Sequence, residues 1–212
     1  MQYKIFNVLP TYGTNTYLVW DEDSKEAIMI DPAAPDKILI QEIQRKGLNL
    51  KFVVNTHGHG DHIAGNKLLK DNFKIQLCIH RDDAKMLTDP HLNFSSSIGF
   101  NLVSPKTDII LEEGGIIKLG NMEIKIIHTP GHTKGGICLY VDNLLFSGDT
   151  LFFESIGRTD LPGGNYSDLE KSIKEKLFTL PDETIILPGH GPETTIGHEK
   201  VENPFVGLAA RF

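Results

Sequence analysis

Three imidazoles and a carboxylate fall within six positions in Thr56-His57-Gly58-His59-Gly60-Asp61-His62, directly after the apolar run KFVVN. That run reads as a buried strand, so the cluster sits where a strand leaves the core. The intervening glycines let the backbone bend and alternate side chains converge on one point. Imidazole nitrogen combined with carboxylate oxygen suits zinc, and also iron or manganese. The plainer reading, a polar loop that happens to be histidine-rich, is disfavoured by four ligand types packed so tightly after a strand.

Three further candidates each end an apolar strand-like run. His132 lies in HTPGHTKGG, Asp149 in LLFSGDT and His190 in IILPGHG, each beside a glycine. One such residue alone would read as a cap or a hydrogen-bonding group. Recurring three times, the arrangement suggests four loops meeting in a cleft at one sheet edge.

The rest of the pattern supplies such a frame. KIFNV, NTYLVW and EAIMID read as a strand meander, and Pro35 to Lys46 as a helix stopped by Gly47. After KFVVNT, Asp61 is placed to cap a helix running through Lys70. KIQLCIH reads as a strand, Arg81 to Leu87 as a short helix, and 88–108 as a long loop of the kind that is often functional. GIIKLG, MEIKIIHT, GICLYV, NLLFSGD and TIILPGH read as strands, with a helix from Ser167 to Leu177 whose Ser167 and Glu170 form a capping box. Two strand-rich halves with helical units predict two sheets packed together, helices outside.

The length of 212 residues suits one domain spanning 1–212, large enough for a core without disulfides. Cys78 and Cys138 both lie in apolar runs and read as buried small hydrophobes. A formal net charge of −7 argues against a nucleic-acid partner. No signal-like opening and no apolar run of ~20 residues is present, so a soluble, cytoplasmic protein without a membrane partner is expected.

The ordered set HxHxDH, His, Asp, His resembles the metallo-β-lactamase superfamily, in particular its short bacterial glyoxalase II-like branch. The resemblance implies an α/β fold, a four-layer αββα sandwich with metals at one edge. It implies two divalent cations, zinc first with iron and manganese as alternatives. His57, His59 and His132 would hold one; Asp61, His62 and His190 would hold the other; Asp149 would bridge both. Asp61 and Asp149 are then the catalytic carboxylates. Asp31, in MIDP, resembles a family position near the metals and could orient a ligand imidazole; a turn residue before Pro32 is the competing reading.

Two cations a few ångströms apart lower the pKa of a shared water from ~15.7 toward neutrality, giving a hydroxide able to attack an acyl carbon. The expected activity is hydrolysis of a small-molecule thioester such as S-D-lactoylglutathione. Gly157-Arg158-Thr159-Asp160-Leu161-Pro162-Gly163-Gly164 stands where the longer glutathione-specific enzymes carry a Lys-x-Tyr segment. Arg158 could pair with a substrate carboxylate or with Asp160. Within the resemblance, a mononuclear-iron persulfide dioxygenase and a lactonase are the alternatives. Asp149, where true β-lactamases of this fold usually carry Cys or Ser, argues against that activity. A binding module that has lost catalysis would be expected to lack a ligand, and none is missing. His80, His91, His128 and His198 read as structural.

Overall fold

The computed structural model describes residues 1–208 and 210, with the backbone alone at Ile98. β1 (Gln2–Leu9), β2 (Thr14–Trp20) and β3 (Glu26–Ile30) form the antiparallel meander. α1 (Lys37–Arg45) begins at Asp36, whose carboxylate accepts the Ile38 N–H, and the chain turns at Gly47 with φ +64°. β4 (Asn49–Val54) returns parallel to β3. Two short helices follow, α2 (Gly60–Ile63) and α3 (Asn66–Asn72), then β5 (Gln76–His80) and β6 (Ile109–Leu111), completing a sheet in the order β1-β2-β3-β4-β5-β6.

The second sheet contains β7 (Ile116–Leu119), β8 (Met122–His128), β9 (Ile137–Val141) and β10 (Leu144–Gly148). A small hairpin, β11 (Leu151–Phe152) with β12 (Ser155–Ile156), and α4 (Tyr166–Glu175) precede β13 (Ile185–Pro188), β14 (Thr194–Thr195) and α5 (Ile196–Glu202). The sheet order is β14-β13-β10-β9-β8-β7, with β13 parallel to β10 and the other neighbours antiparallel.

Alternation along the strands divides the apolar residues among three layers of contact. Tyr17, Val19, Ile28 and Ile30 face Ile124, Ile126, Leu139 and Phe146 between the sheets. Leu18, Met29, Val53 and Leu77 turn outward onto Leu39, Ile43 and Leu69 of α1 and α3. Cys138, Leu145 and Ile186 do the same against Leu169, Ile173 and Ile196 of α4 and α5. Strands covered on both faces must be apolar on both, hence continuous runs such as YLVW and AIMI. The result is the expected αββα sandwich.

Several local expectations are corrected. The helix expected from Asp61 to Lys70 is broken, because Gly65 donates to the Pro32 carbonyl at 2.7 Å and a Cβ there would lie 2.7–2.8 Å from Pro32 and Ala34. Its first part starts after His59, so Asp61 lies inside the first turn rather than capping it. The Arg81 to Leu87 helix is instead two 3₁₀ turns, Arg81–Asp83 and Met86–Thr88. α4 is capped by Asn165, which accepts the Asp168 N–H at 3.1 Å, not by Ser167. The short elements β6, β11, β12, β14 and α5 lacked enough residues, or enough periodicity, to be read in advance.

Candidate metal centre

Four loops leave the two sheets at one edge and bring the seven expected side chains together. His57 follows β4 by three residues, His132 follows β8 by four, Asp149 directly follows β10, and His190 follows β13 by two. Close approach of backbones makes this possible. Gly148, at φ +49°, lies against Thr56, and a side chain there would overlap it. A Cβ at Gly189 would overlap the Asp149 carboxylate and come 2.9 Å from His62. Gly58 and Gly60 have ordinary negative φ; Gly58 is small because Met86 packs against it.

The donors fall into two groups. Candidate ligand atoms of His57, His59 and His132 lie within 4.8 Å of one another, as do those of Asp61, His62 and His190. His59 Nδ1 faces His132 Nε2 at 2.9 Å, and His62 Nε2 faces His190 Nε2 at 3.3 Å. Asp149 stands between the groups. Its Oδ1 is 3.4 Å from His62 Nε2, and its Oδ2 is 3.5 Å from His132 Nε2 and 3.4 Å from His190 Nε2. Asp61 Oδ2 lies 3.6 Å from His62 Nε2 and 3.5 Å from His190 Nε2, and accepts a hydrogen bond from Thr14 Oγ1.

The outward ring nitrogens fix which atoms face inward. His62 Nδ1 donates to Asp31 Oδ2 at 2.9 Å, His132 Nδ1 to the Arg158 carbonyl at 2.7 Å, and His190 Nδ1 to the Tyr12 carbonyl at 3.0 Å. Those oxygens only accept, so in each neutral ring the inward Nε2 carries a lone pair. His57 Nδ1 meets Thr56 Oγ1 at 3.2 Å, and that hydroxyl donates onward to Asp31 Oδ2 at 2.6 Å. Lone pairs and carboxylate oxygens therefore confront one another across the cleft. His57 Nε2 and Asp149 Oδ1 are buried with no hydrogen-bond partner. Such a surface repels itself unless positive charge lies within it, and the donor set fits divalent cations.

The titration of these groups expresses the same demand. Burial alone would lower the His62 imidazole, but Asp149, Asp61 and Asp31 outweigh it and push it up to about 10. Burial would raise the Asp149 carboxyl, yet His62, His190 and His57 hold it well below the usual carboxylate range. Burial and then neighbouring imidazoles drive His57 far down and His59 down to about 3.

Asp31 is placed where the orienting role requires. Buried and at φ +48°, it accepts the Thr56 N–H at 2.7 Å as well as the Thr56 hydroxyl and His62. It also shares a group of close donor atoms with His57 and His62, but the His62 atom it touches is Nδ1, on the side away from the cleft. Arg158 makes a bidentate pair with Asp160 at 2.8 and 2.7 Å, and this pairing raises the guanidinium and holds Asp160 down to about 2. Its backbone, through the bond to His132, does the positioning.

Asp83 was not singled out from the sequence. Its buried carboxylate accepts from Gly58 N–H at 3.1 Å, Gly135 N–H at 2.8 Å and Thr133 Oγ1 at 2.7 Å, tying the His57–His59 loop to the His132 loop. RDDAK carried no signal separating it from a surface acid. His80 and His128, read as structural, come together with Asp82. The two rings stack at 4.0 Å and 10°, so their in-plane lone pairs run parallel rather than converging on a cation. His91 and His198 lie apart, against Ser96 and against Phe153 and Glu154.

The cleft is a cavity of about 250 Å³ lined by His59, Asp61, His132, Asp149, His190 and Arg158, with Tyr12 and Phe94 among its walls. The 88–108 loop supplies one wall: Gly60 N–H donates to the Asn93 carbonyl, and the Asn93 side chain holds the Met86 and Leu102 carbonyls, both at 3.0 Å. No helix among the described residues is long and apolar enough to cross a membrane.

An αββα sandwich with a His- and Asp-rich edge fed by both sheets defines a class of metal-binding proteins, mostly hydrolases. The chain belongs to the metallo-β-lactamase superfamily, whose family model matches residues 9–190. It is 40% identical over 203 residues to hydroxyacylglutathione hydrolase GloC of Haemophilus influenzae, covering 92% of this chain and 93% of that one. The crystal structure of the BLEG-1 B3 metallo-β-lactamase superposes with TM-score 0.91 at 38% identity, covering 97% and 99% of the two chains. That of TTHA1623 in a di-iron-bound form gives TM-score 0.81 at 33% identity, covering 95% and 99%.

Proposed function

We propose that this protein is a binuclear metallohydrolase that cleaves a small thioester, with hydroxyacylglutathiones such as S-D-lactoylglutathione as the first candidates. The observation that carries the reading is Asp149, which stands between two complete donor groups, its Oδ2 near both His132 and His190 and its Oδ1 near His62. A single cation would leave one of those groups, with its facing lone pairs, uncompensated. Likeness to a hydrolase of hydroxyacylglutathione supports the thioester.

His57, His59 and His132 would hold one cation, Asp61, His62 and His190 the other, with Asp149 shared. Bound there, the cations supply Lewis acidity and an activated water. The protein's own groups keep the imidazoles oriented through Asp31, Thr56, Tyr12 and Arg158. Phe94 and Leu161 wall the cleft and limit bulk water, while His59, Asp61 and Arg158 line the approach a substrate must take. No serine or cysteine is needed as nucleophile; both cysteines are buried, and burial raises their thiols, to about 12 at Cys78 and about 11 at Cys138. Zinc is the first expectation; the likeness to a di-iron form supports iron as its competitor.

Elemental analysis of purified protein, followed by thiol release from S-D-lactoylglutathione, tests the proposal. The expected result is about two metals per chain and activity that is abolished by Asp149→Ala. One iron per chain with oxygen uptake on glutathione persulfide would establish the dioxygenase instead. Turnover of lactones alone would make it a lactonase, and of β-lactams alone, as the BLEG-1 likeness would have it, a β-lactamase.

A further inference from the structure

A second cavity of about 320 Å³ opens beside the metal cleft and shares Tyr12, Gly60, Asp61 and Ser95 with it. Its remaining lining is apolar: Leu9, Ala33, Ala34, Pro35, Ala64, Phe100 and Leu102. Asp61 is the sole charged residue on its wall, at the junction with the cleft. Alanines at 33, 34 and 64 make the room; larger side chains there would fill it. The mouth is apolar as well, with Tyr12 43% and Phe100 66% exposed. The volume falls at the low end of small-molecule sites, which span roughly 300–1,000 Å³.

We propose that this cavity binds an unbranched apolar arm of the substrate, so that the preferred thioester carries an alkyl or acyl chain rather than only a short hydroxyacyl group. The inference rests on the hydrolase reading for the reaction, but the site itself rests on its lining. Continuity with the metal cleft argues for a substrate arm. A chain entering past Tyr12 keeps its carbonyl near Asp61 and His190 while its tail leaves water against Leu9, Ala64 and Leu102. The carboxylates of a tripeptide arm find no cationic partner among the lining side chains.

Two measurements test this. The first is calorimetric binding of n-alkyl thioethers of increasing length, which cannot be hydrolysed, to metal-free protein. The second is kcat/KM of the metal-loaded enzyme on straight-chain acyl thioesters sharing one thiol. Affinity and kcat/KM are expected to rise about threefold to fourfold per added methylene until the chain outgrows the cavity. Ala64→Leu should flatten both series. Ala34→Leu does the same on a separate element, and circular dichroism shows whether each variant is folded. A flat response in folded wild-type protein overturns the site. So does a wild-type dimer that Phe100→Ser dissociates without any alkyl binding, which would give the face to a second copy of the chain. Length-dependent binding without hydrolysis of any thioester would leave the site standing and remove the reaction.

Discussion

Asp31 Oδ2 lies 2.9 Å from His62 Nδ1 and receives the Thr56 hydroxyl at 2.6 Å, which in turn meets His57. One buried carboxylate therefore orients an imidazole from each donor group, and both inner nitrogens depend on it. Asp31→Asn keeps the shape and tolerates the left-handed backbone, but removes the charge and one acceptor. Metal affinity, measured by competition with a chromophoric chelator, should fall about 10- to 100-fold. An unchanged affinity would show that the imidazoles are held without it.

Asp83 joins the two loops that carry His57, His59 and His132 through three hydrogen bonds to buried donors. Asp83→Ala leaves those donors unpaired, so urea unfolding should show a loss of about 2–4 kcal/mol. A loss below about 0.5 kcal/mol would mean water replaces the carboxylate.

The exposed Arg158–Asp160 pair predicts a contrast between side chain and backbone. Arg158→Gln should change stability by less than about 0.5 kcal/mol and leave metal content intact, because His132 is held by the residue's carbonyl. A KM that rises only for substrates bearing a carboxylate would assign the guanidinium to substrate; loss of metal would contradict the backbone role.

The His80–His128 stack makes stability pH-dependent. Burial, then His128, lowers the His80 imidazole below its usual 6.5, with Asp82 and Glu112 opposing and Arg81 reinforcing. A lowered folded-state value means the unfolded chain takes up the proton first. Stability is then complete above about pH 6.5 and declines as pH falls toward the folded value. Other histidines titrate too, so the measurement is the difference in melting temperature between wild type and His80→Asn from pH 8 to 5.5. The gap should narrow or reverse on acidification; a constant gap would refute the stack's contribution.

Much of this architecture was written in local pattern. Continuous apolar runs announced strands covered on both faces, and the crowding of His57, His59, Asp61 and His62 announced a metal centre, because both depend on neighbours in the chain. Helix ends were less legible. The break at Gly65 and the cap at Asn165 depend on Pro32 and on the Gly131 carbonyl, which are distant in sequence. Asp83 was invisible for the same reason: an acid becomes a tie only when Gly58 and Gly135 are brought to it.

Residue types, strand pattern and the order of donors were determined by the sequence itself. Only the tertiary structure decided the distances at which Asp149 meets both donor groups, that one carboxylate serves two imidazoles, and that an apolar cavity adjoins the cleft. Each of these is a distance between loops far apart in the chain, set by how strands and layers pack, and no periodicity along a single chain encodes it.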